Sequence, residues 1–429
     1  MDSNIVENVL NLIDSDELTG LVRQLVDIPS PPGEENEVSE FIFKWLKENG
    51  LGAIRQEVEP GRLNAVGVLP GTGKGLNLMF NGHLDTSHPG TDEDLATFGE
   101  EAASLRPKSF LKDGAIYGLG SYNCKGPVAT ALIALKALKE GGLIPNGDVT
   151  VAAVCGEIGR APIGQYQGPA YHGHGYGTRY LLTHGISPDM ALVVEPSFHH
   201  LVWTLPGVLY AKVTAFGESM YMPFINRAKR EKEGTNCITN MVKMLEAIEE
   251  WASEYEERNK YESPGGTVTA KVNIGAIEGG QSYAPNFSMF SCRAYVDIRV
   301  LPTRDLNDVK REFKQVLEKT SIDFRMEFYR SHKGYEGRNT QPLADGIRAA
   351  YRQVFNAEPP QDGSGANMWN DVNIFHEMGI PAVKFGIGSV APMTLSLNKA
   401  GSEGVKIDEY VNMAKIYALT AINICSFDG

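Results

Sequence analysis

Three times the chain runs through a short, unbroken apolar stretch and at once enters a polar loop. "LNLMF" (76–80) leads into "NGHLDTSHPG", "DVTVAAVC" (148–155) into "GEIG", and "DMALVV" (189–194) into "EPS". Apolarity without alternation marks strands covered on both faces, as in an open α/β sheet flanked by helices. A fourth run, "PAVKFG" (381–386), has the same character, and helix-period stretches such as "PVATALIALKALKEGG" lie between the runs. The expected class is therefore α/β. Helical spacing also extends from Asp16 to Asn49, broken by the turn "PSPPGE".

From about Gly207 to Glu327 the pattern changes. The alternating strand "VLYAKVTAF" is followed by the amphipathic helix "ITNMVKMLEAIEEWASEYEER", then by the strands "TVTAKVNIGAIEGG" and "SMFSCRAYVDIRVLP". The helix "DVKREFKQVLEKT" and the strand "DFRMEFYR" complete a β-α-β-β-α-β order. That order predicts a ferredoxin-like α+β unit inserted into the larger sheet. The expected layout is residues 1–206 and 328–429 as one discontinuous domain and 207–327 as a separate lid or dimerisation module.

At 429 residues the chain is too long for one compact core. Its net charge of −13 argues against nucleic acid or an anionic membrane as the main partner. The acidic opening "MDSNIVENVLNLIDSDE" is unlike a secretory or transit leader, and no apolar run approaches a membrane span. The five cysteines, Cys124, Cys155, Cys237, Cys292 and Cys425, form no CxxC pair, which fits a reducing cytoplasm. Cys124 and Cys155 flank the polar loops, but their apolar surroundings favour packing over nucleophilic chemistry.

The polar loops carry the chemistry. His83 and Asp85 follow the first run, Glu157 the second and Glu195 the third, while Asn123 sits in the glycine loop "GLGSYNCKG" that opens a helix. In open α/β sheets ligands bind beyond the carboxyl ends of the strands, so these residues are expected on one rim. One imidazole among several oxygen donors suits zinc, manganese, iron or cobalt. The two-residue spacing of Asp85 and His83 lets the carboxylate brace a metal-binding ring. His172, His174, His199, His200 and His332 are further candidates for the rim. Asn370, Asp371 and Asn373 in "MWNDVNIF" are candidates for the pocket lining, whereas His88 and His376 read as surface or helix residues.

With these motifs on the page, the chain resembles the metallopeptidase family that contains aminoacylase, carboxypeptidase G, acetylornithine deacetylase and succinyl-diaminopimelate desuccinylase. The likeness spans nearly the whole chain and includes "LVDIPSPPGEENEV", "NGHLDT", "YGLGSYNCKGPVA", "GEIG", "VVEPS", "GAIEGGQSYAPN", "VDIRVLP" and "GIPAVKFGIG". It implies an α/β, phosphorylase/hydrolase-like catalytic domain that binds zinc and is interrupted by a ferredoxin-like dimerisation domain. Homodimers or larger assemblies of the chain are then expected.

The departures are as informative as the matches. Such enzymes carry two metals bridged by an aspartate, and Asn123 stands in that place. Their paired glutamates, a base and a ligand, read here as Gly156-Glu157, and the C-terminal histidine of the second metal is missing. Tyr221 in "GESMYMP" takes the place of the histidine that reaches a partner's site. The surviving set implies one divalent ion, manganese or zinc, held by His83, Asn123 and Glu195, with Glu157 as general base and Asp85 as the brace. Asn286, Arg293 and Arg299 are the candidates for gripping a substrate carboxylate, since the arginine fork pairs with it bidentately.

The expected activity is metal-dependent hydrolysis of a C–N bond in a small carboxylate-bearing compound. The bond is an amide, as in a deacylase, or an aromatic amine, as in a nitroanthranilate aminohydrolase-like branch. Two other readings stay open: a non-catalytic relative that binds or assembles, and an ordinary dinuclear aminoacylase in which His172, His174 or His332 replaces the lost ligands.

Overall fold

A computed structural model describes residues 3–99, 102–225, 236–360, 367–391 and 401–425. They form two units. One carries the described residues of Met1–Trp203, Gly337–Gly365 and Asn370–Gly429, the other those of Thr204–Glu336 and Ala366–Trp369.

The first unit is built on a six-stranded mixed sheet. Its strands are β1 (Gly52–Glu59), β2 (Arg62–Leu69), β3 (Leu78–His83), β4 (Val149–Val154), β5 (Met190–Val193) and one late strand, Ala382–Lys384. The order runs β1, β2, β4, β3, β5 and then the late strand. The apolar runs read from the sequence are the parallel part: β4 with β3, β3 with β5, and β5 with Ala382–Lys384. The antiparallel hairpin β1–β2 extends one edge, turning at Gly61, whose φ of +82° suits a residue without Cβ.

Helices cover both faces. The first long helix, Ser15–Asp27, is started by Asp14, whose carboxylate accepts from the Glu17 amide at 2.7 Å. It buries Leu18, Leu21, Val22, Leu25 and Val26, a stripe at helical spacing. It packs against Lys125–Glu140, which is buried on nearly every side and lies on β3 and β4 beside Ile407–Cys425. Together with Asn36–Glu48 and Gln341–Phe355 these helices enclose the main core. Two shorter helices contact sheet strands away from that cluster: Tyr176–Thr183 against β1 and β2, and Val372–Glu377 against β5 and the late strand.

The second unit holds a four-stranded antiparallel sheet. Its strands are β6 (Gly207–Phe216), β7 (Val272–Gly279), β8 (Ser291–Val300) and β9 (Phe324–His332), arranged β7-β8-β6-β9. The helices Cys237–Arg258 and Leu306–Glu318 complete a β-α-β-β-α-β order. Numbered in that order, the late strand Ala382–Lys384 of the first unit is β10. Among the described residues no helix is long and apolar enough to cross a membrane.

Candidate metal centre

The site is assembled where β3, β4 and β5 end. His83 is the last residue of β3, Glu157 lies three residues beyond β4, and Glu195 two beyond β5. All three are buried, and one ligand atom from each lies within 4.8 Å of the others. His83 Nδ1 donates to the Asp85 carbonyl oxygen at 2.8 Å, which leaves Nε2 to face the cluster. There Nε2 stands 3.1 Å from Asn123 Oδ1 and 3.7 Å from Glu157 Oε2.

Asp85 joins two of these loops. Its carboxylate accepts from the amides of Glu157 (3.1 Å) and Ile158 (2.8 Å), and its Oδ1 lies 3.5 Å from His83 Nδ1. The brace on the imidazole therefore comes first from the Asp85 backbone and second from its carboxylate.

Charge is concentrated here among buried groups. Burial raises the Glu157 carboxyl well above its ordinary range, and the neighbouring Glu195 charge pushes it the same way. Glu195 is also raised by burial, against the opposing charges of His83 and Lys384. Burial would lower His83, but the Asp85 hydrogen bond and the Glu157, Asp85 and Glu195 charges hold it well above the usual imidazole range. Glu195 Oε1 is buried with no hydrogen-bond partner among the described residues. An unpartnered buried carboxylate oxygen beside an imidazole and a second carboxylate is a donor set that fits a divalent cation.

The glycine loop is held from the C-terminal part of the chain. Glu403 is fully buried, and its Oε2 accepts from the amides of Gly120 (3.1 Å), Tyr122 (3.0 Å) and Asn123 (3.4 Å). Burial pushes its carboxyl up to about 7, with the Lys125 ammonium opposing. Nothing in "KAGSEGVK" announces this role. The segment that lacks the C-terminal histidine falls partly outside the described residues, at 392–400.

Gly156, beside Glu157, has no room for a side chain. Its φ is +69°, and a Cβ there would lie 2.7 Å from Arg62 Nη2 and 2.8 Å from the His172 carbonyl oxygen. Arg62 cannot yield, because it is fully buried and forked onto both oxygens of Glu35.

The remaining candidates separate by location. Asn370 is in the first unit, buried, with Oδ1 accepting from the Val372 amide and Nδ2 without a partner among the described residues. Beside it Asp371 accepts from Thr178 Oγ1 at 2.6 Å, and burial pushes it up to about 7. Tyr221, Asn286, Arg293 and Arg299 belong to the second unit. Tyr221 is half exposed, its ring against Phe287 and Phe224, and the Asn286 carbonyl accepts from the Met222 amide. Arg299 pairs with Asp297 at 2.8 Å on its own strand, whereas Arg293 is exposed, 4.0 Å from Glu278.

Other histidines hold other partners. His172 Nδ1 lies 2.9 Å from Glu59, His174 Nδ1 3.2 Å from the Arg160 carbonyl, and His199 Nε2 2.6 Å from Glu409. His332 belongs to the second unit, its ring near Trp369. His88, expected at the surface, is instead buried. Cys124 and Cys155 are free and buried, and burial raises both thiols well above their ordinary range, which removes them as nucleophiles.

Two features escaped the sequence reading altogether. Lys384 was hidden inside an apolar run, and Glu403 lies in a stretch read only for its missing histidine.

Comparison with known proteins gives the family. Residues 79–423 match Peptidase family M20/M25/M40. The chain is 25% identical over 446 residues to N-formyl-4-amino-5-aminomethyl-2-methylpyrimidine deformylase of Bacillus subtilis, covering 96% of this chain and 95% of that protein. It is likewise 25% identical over 373 residues to succinyl-diaminopimelate desuccinylase of Corynebacterium glutamicum, covering 86% and 87%. Among solved structures its fold is similar to the YXEP protein of Bacillus subtilis, described as a dinuclear metal binding peptidase from the M20 family. That pair has a TM-score of 0.63 at 13% identity, with 96% of this chain and 99% of that one covered. The match covers well over half of the sequence and includes the ends of β3, β4 and β5: the chain belongs to Peptidase family M20/M25/M40 and is a metal-dependent amidohydrolase.

Proposed function

We propose that the chain is a deacylase that removes a small acyl group from the nitrogen of a compact, carboxylate-bearing compound, using one divalent ion, manganese or zinc. The observation that carries this is the buried set of His83, Glu157 and Glu195, whose ligand atoms lie within 4.8 Å of one another. The deformylase and desuccinylase named above, whose names describe removal of an acyl group, support an amide over an aromatic amine.

In this reading His83 Nε2, Asn123 Oδ1 and Glu195 hold the ion. When bound, it supplies Lewis acidity, polarising a carbonyl and lowering the pKa of a water to about 7. Glu157 has the raised carboxyl a general base needs to take a proton near neutral pH and return it to the leaving nitrogen. Asp85 keeps the Nδ1 proton of His83 in place, directing Nε2 inward. Asn123 supports a single ion because a carboxamide offers one neutral oxygen where a bridging carboxylate offers two charged ones. Asn370, with its unpartnered buried amide, is a hydrogen-bond donor for substrate. The second unit, ferredoxin-like and dimer-forming in this reading, carries the remaining substrate-carboxylate candidates Tyr221, Asn286, Arg293 and Arg299.

The test is a panel of N-formyl, N-acetyl and N-succinyl amides, with arylamines alongside, in added manganese or zinc. Hydrolysis of one amide class, lost in His83→Ala, Glu195→Ala and Glu157→Gln, is expected. Activity that survives both His83→Ala and Glu195→Ala overturns the site. Turnover of arylamines alone overturns the deacylase reading.

A further inference from the structure

The sheet of the first unit sorts its side chains by parity. Phe80, Val151, Leu192, Val194, Val383 and Phe385 belong to the main core cluster. Their neighbours in sequence project to the opposite face. On that face β3 carries Asn81 and His83, β5 carries Val193, and β10 carries Lys384. Lys384 is in parallel register with Val193, which is itself in register with Asn81. Two residues later, a methyl group on Gly386 would lie 2.4 Å from the Glu195 carbonyl oxygen, so the two loop starts are in contact. The Lys384 amide donates to the Val202 carbonyl at 2.7 Å, and its carbonyl accepts from the Val202 amide at 3.0 Å.

Lys384 is fully buried, which is rare for lysine unless its charge is matched. Burial holds its ammonium below the ordinary range, and the Glu195 and Glu157 carboxylates oppose that shift. The same charge acts in return to lower Glu195. The sheet thus sets the Lys384 side chain on the face that carries His83, where its ammonium and the Glu195 and Glu157 carboxylates act on one another, in a chain that lacks the bridging aspartate and the second-metal histidine.

We propose that the Lys384 ammonium is a built-in cation of this centre, which neutralises part of the Glu157 and Glu195 charge and thereby limits the centre to one divalent ion. The proposal rests on the reading that His83 and Glu195 hold an ion. In structural terms the protein has exchanged one exchangeable cation for a covalently attached one. Removing the ammonium should make the pocket more negative and its hold on a metal stronger.

Manganese chloride is titrated calorimetrically into metal-stripped full-length protein at pH 8, with bound metal counted by mass spectrometry. Wild type and Lys384→Arg are expected to take one equivalent with affinities within about threefold of each other, since both keep the charge. Lys384→Met is expected to bind about tenfold more tightly or better, or to admit a second ion. A Lys384→Met protein that binds one equivalent no more tightly than wild type overturns the lysine proposal and leaves the single-ion reading standing. Wild type that binds two equivalents, or none, overturns the single-ion reading and the lysine proposal with it. If Lys384→Met folds only when manganese is present, the ion is replacing the missing charge, as proposed. If manganese does not rescue it and Lys384→Gln binds the ion no more tightly than wild type, the charge is not what the residue supplies.

Discussion

Placing a glutamate at Gly156, where the family resemblance implies a general base, is the obvious repair to this site, and the structure predicts that it fails at the backbone. Gly156 sits at φ +69°, where any L-residue is strained by about 1–2 kcal/mol. A β-carbon would also press into Arg62 Nη2 at 2.7 Å, the His172 carbonyl at 2.8 Å and Tyr176 Cβ at 3.2 Å. Overpacking of this kind adds about 1–3 kcal/mol. The reduced freedom of the unfolded chain offsets about 0.4–1 kcal/mol. Gly156→Ala should therefore destabilise the protein by about 1–5 kcal/mol, and Gly156→Glu by at least as much. Gly164 is the internal control: its φ is +54°, but a Cβ there would meet nothing within 4 Å. Urea midpoints of wild type, Gly156→Ala and Gly164→Ala, followed by circular dichroism, read the packing contribution as the difference between the two alanines. A Gly156→Ala protein no less stable than Gly164→Ala refutes the steric account. A Gly156→Glu protein that is stable and more active refutes the claim that this position cannot hold a base.

Glu403→Ala leaves the Gly120, Tyr122 and Asn123 amides without their acceptor. At about 1–3 kcal/mol per orphaned buried donor it should lower stability measurably and weaken metal binding through Asn123, read by thermal shift with and without manganese. Arg62→Ala strands the buried Glu35 carboxylate and should cost about 3–5 kcal/mol, whereas Arg62→Met with Glu35→Leu recovers much of the loss in urea unfolding. Burial lowers His376 to about 4, so the folded state resists its protonation. Stability from this group is complete above its unfolded pKa of about 6.5 and is lost as pH falls through 4, by up to about 3 kcal/mol. His376→Gln should remove that acid-side slope in urea midpoints measured from pH 7 to pH 4.

The sequence made the α/β sheet legible because β3, β4, β5 and β10 are buried on both faces and so appear as unbroken apolar runs. Hairpin β1–β2 was not recognised, because its outer strand is half exposed and carries Arg55, Gln56 and Glu57, which blur the pattern. The candidate centre was readable because its residues sit directly after strands, where the chain must leave the sheet. Glu403 was not, because its partners are backbone amides some 280 residues away, and amides leave no trace in a sequence. Lys384 was missed for the opposite reason: it lies inside an apolar run, and only the register of β10 beside β5 shows which face it takes. Arg299 reads as a free arginine fork in the sequence, because only the folded strand β8 brings Asp297 within 2.8 Å of it.

The central claim is that a centre built from His83, Asn123 and Glu195 holds one divalent ion. The most direct measurement is the number of metal equivalents per chain, from mass spectrometry of protein dialysed after loading with manganese or zinc. One equivalent in wild type, lost in both His83→Ala and Glu195→Ala, is the predicted result. Two tightly held equivalents in wild type, or one that persists in both variants, would contradict it.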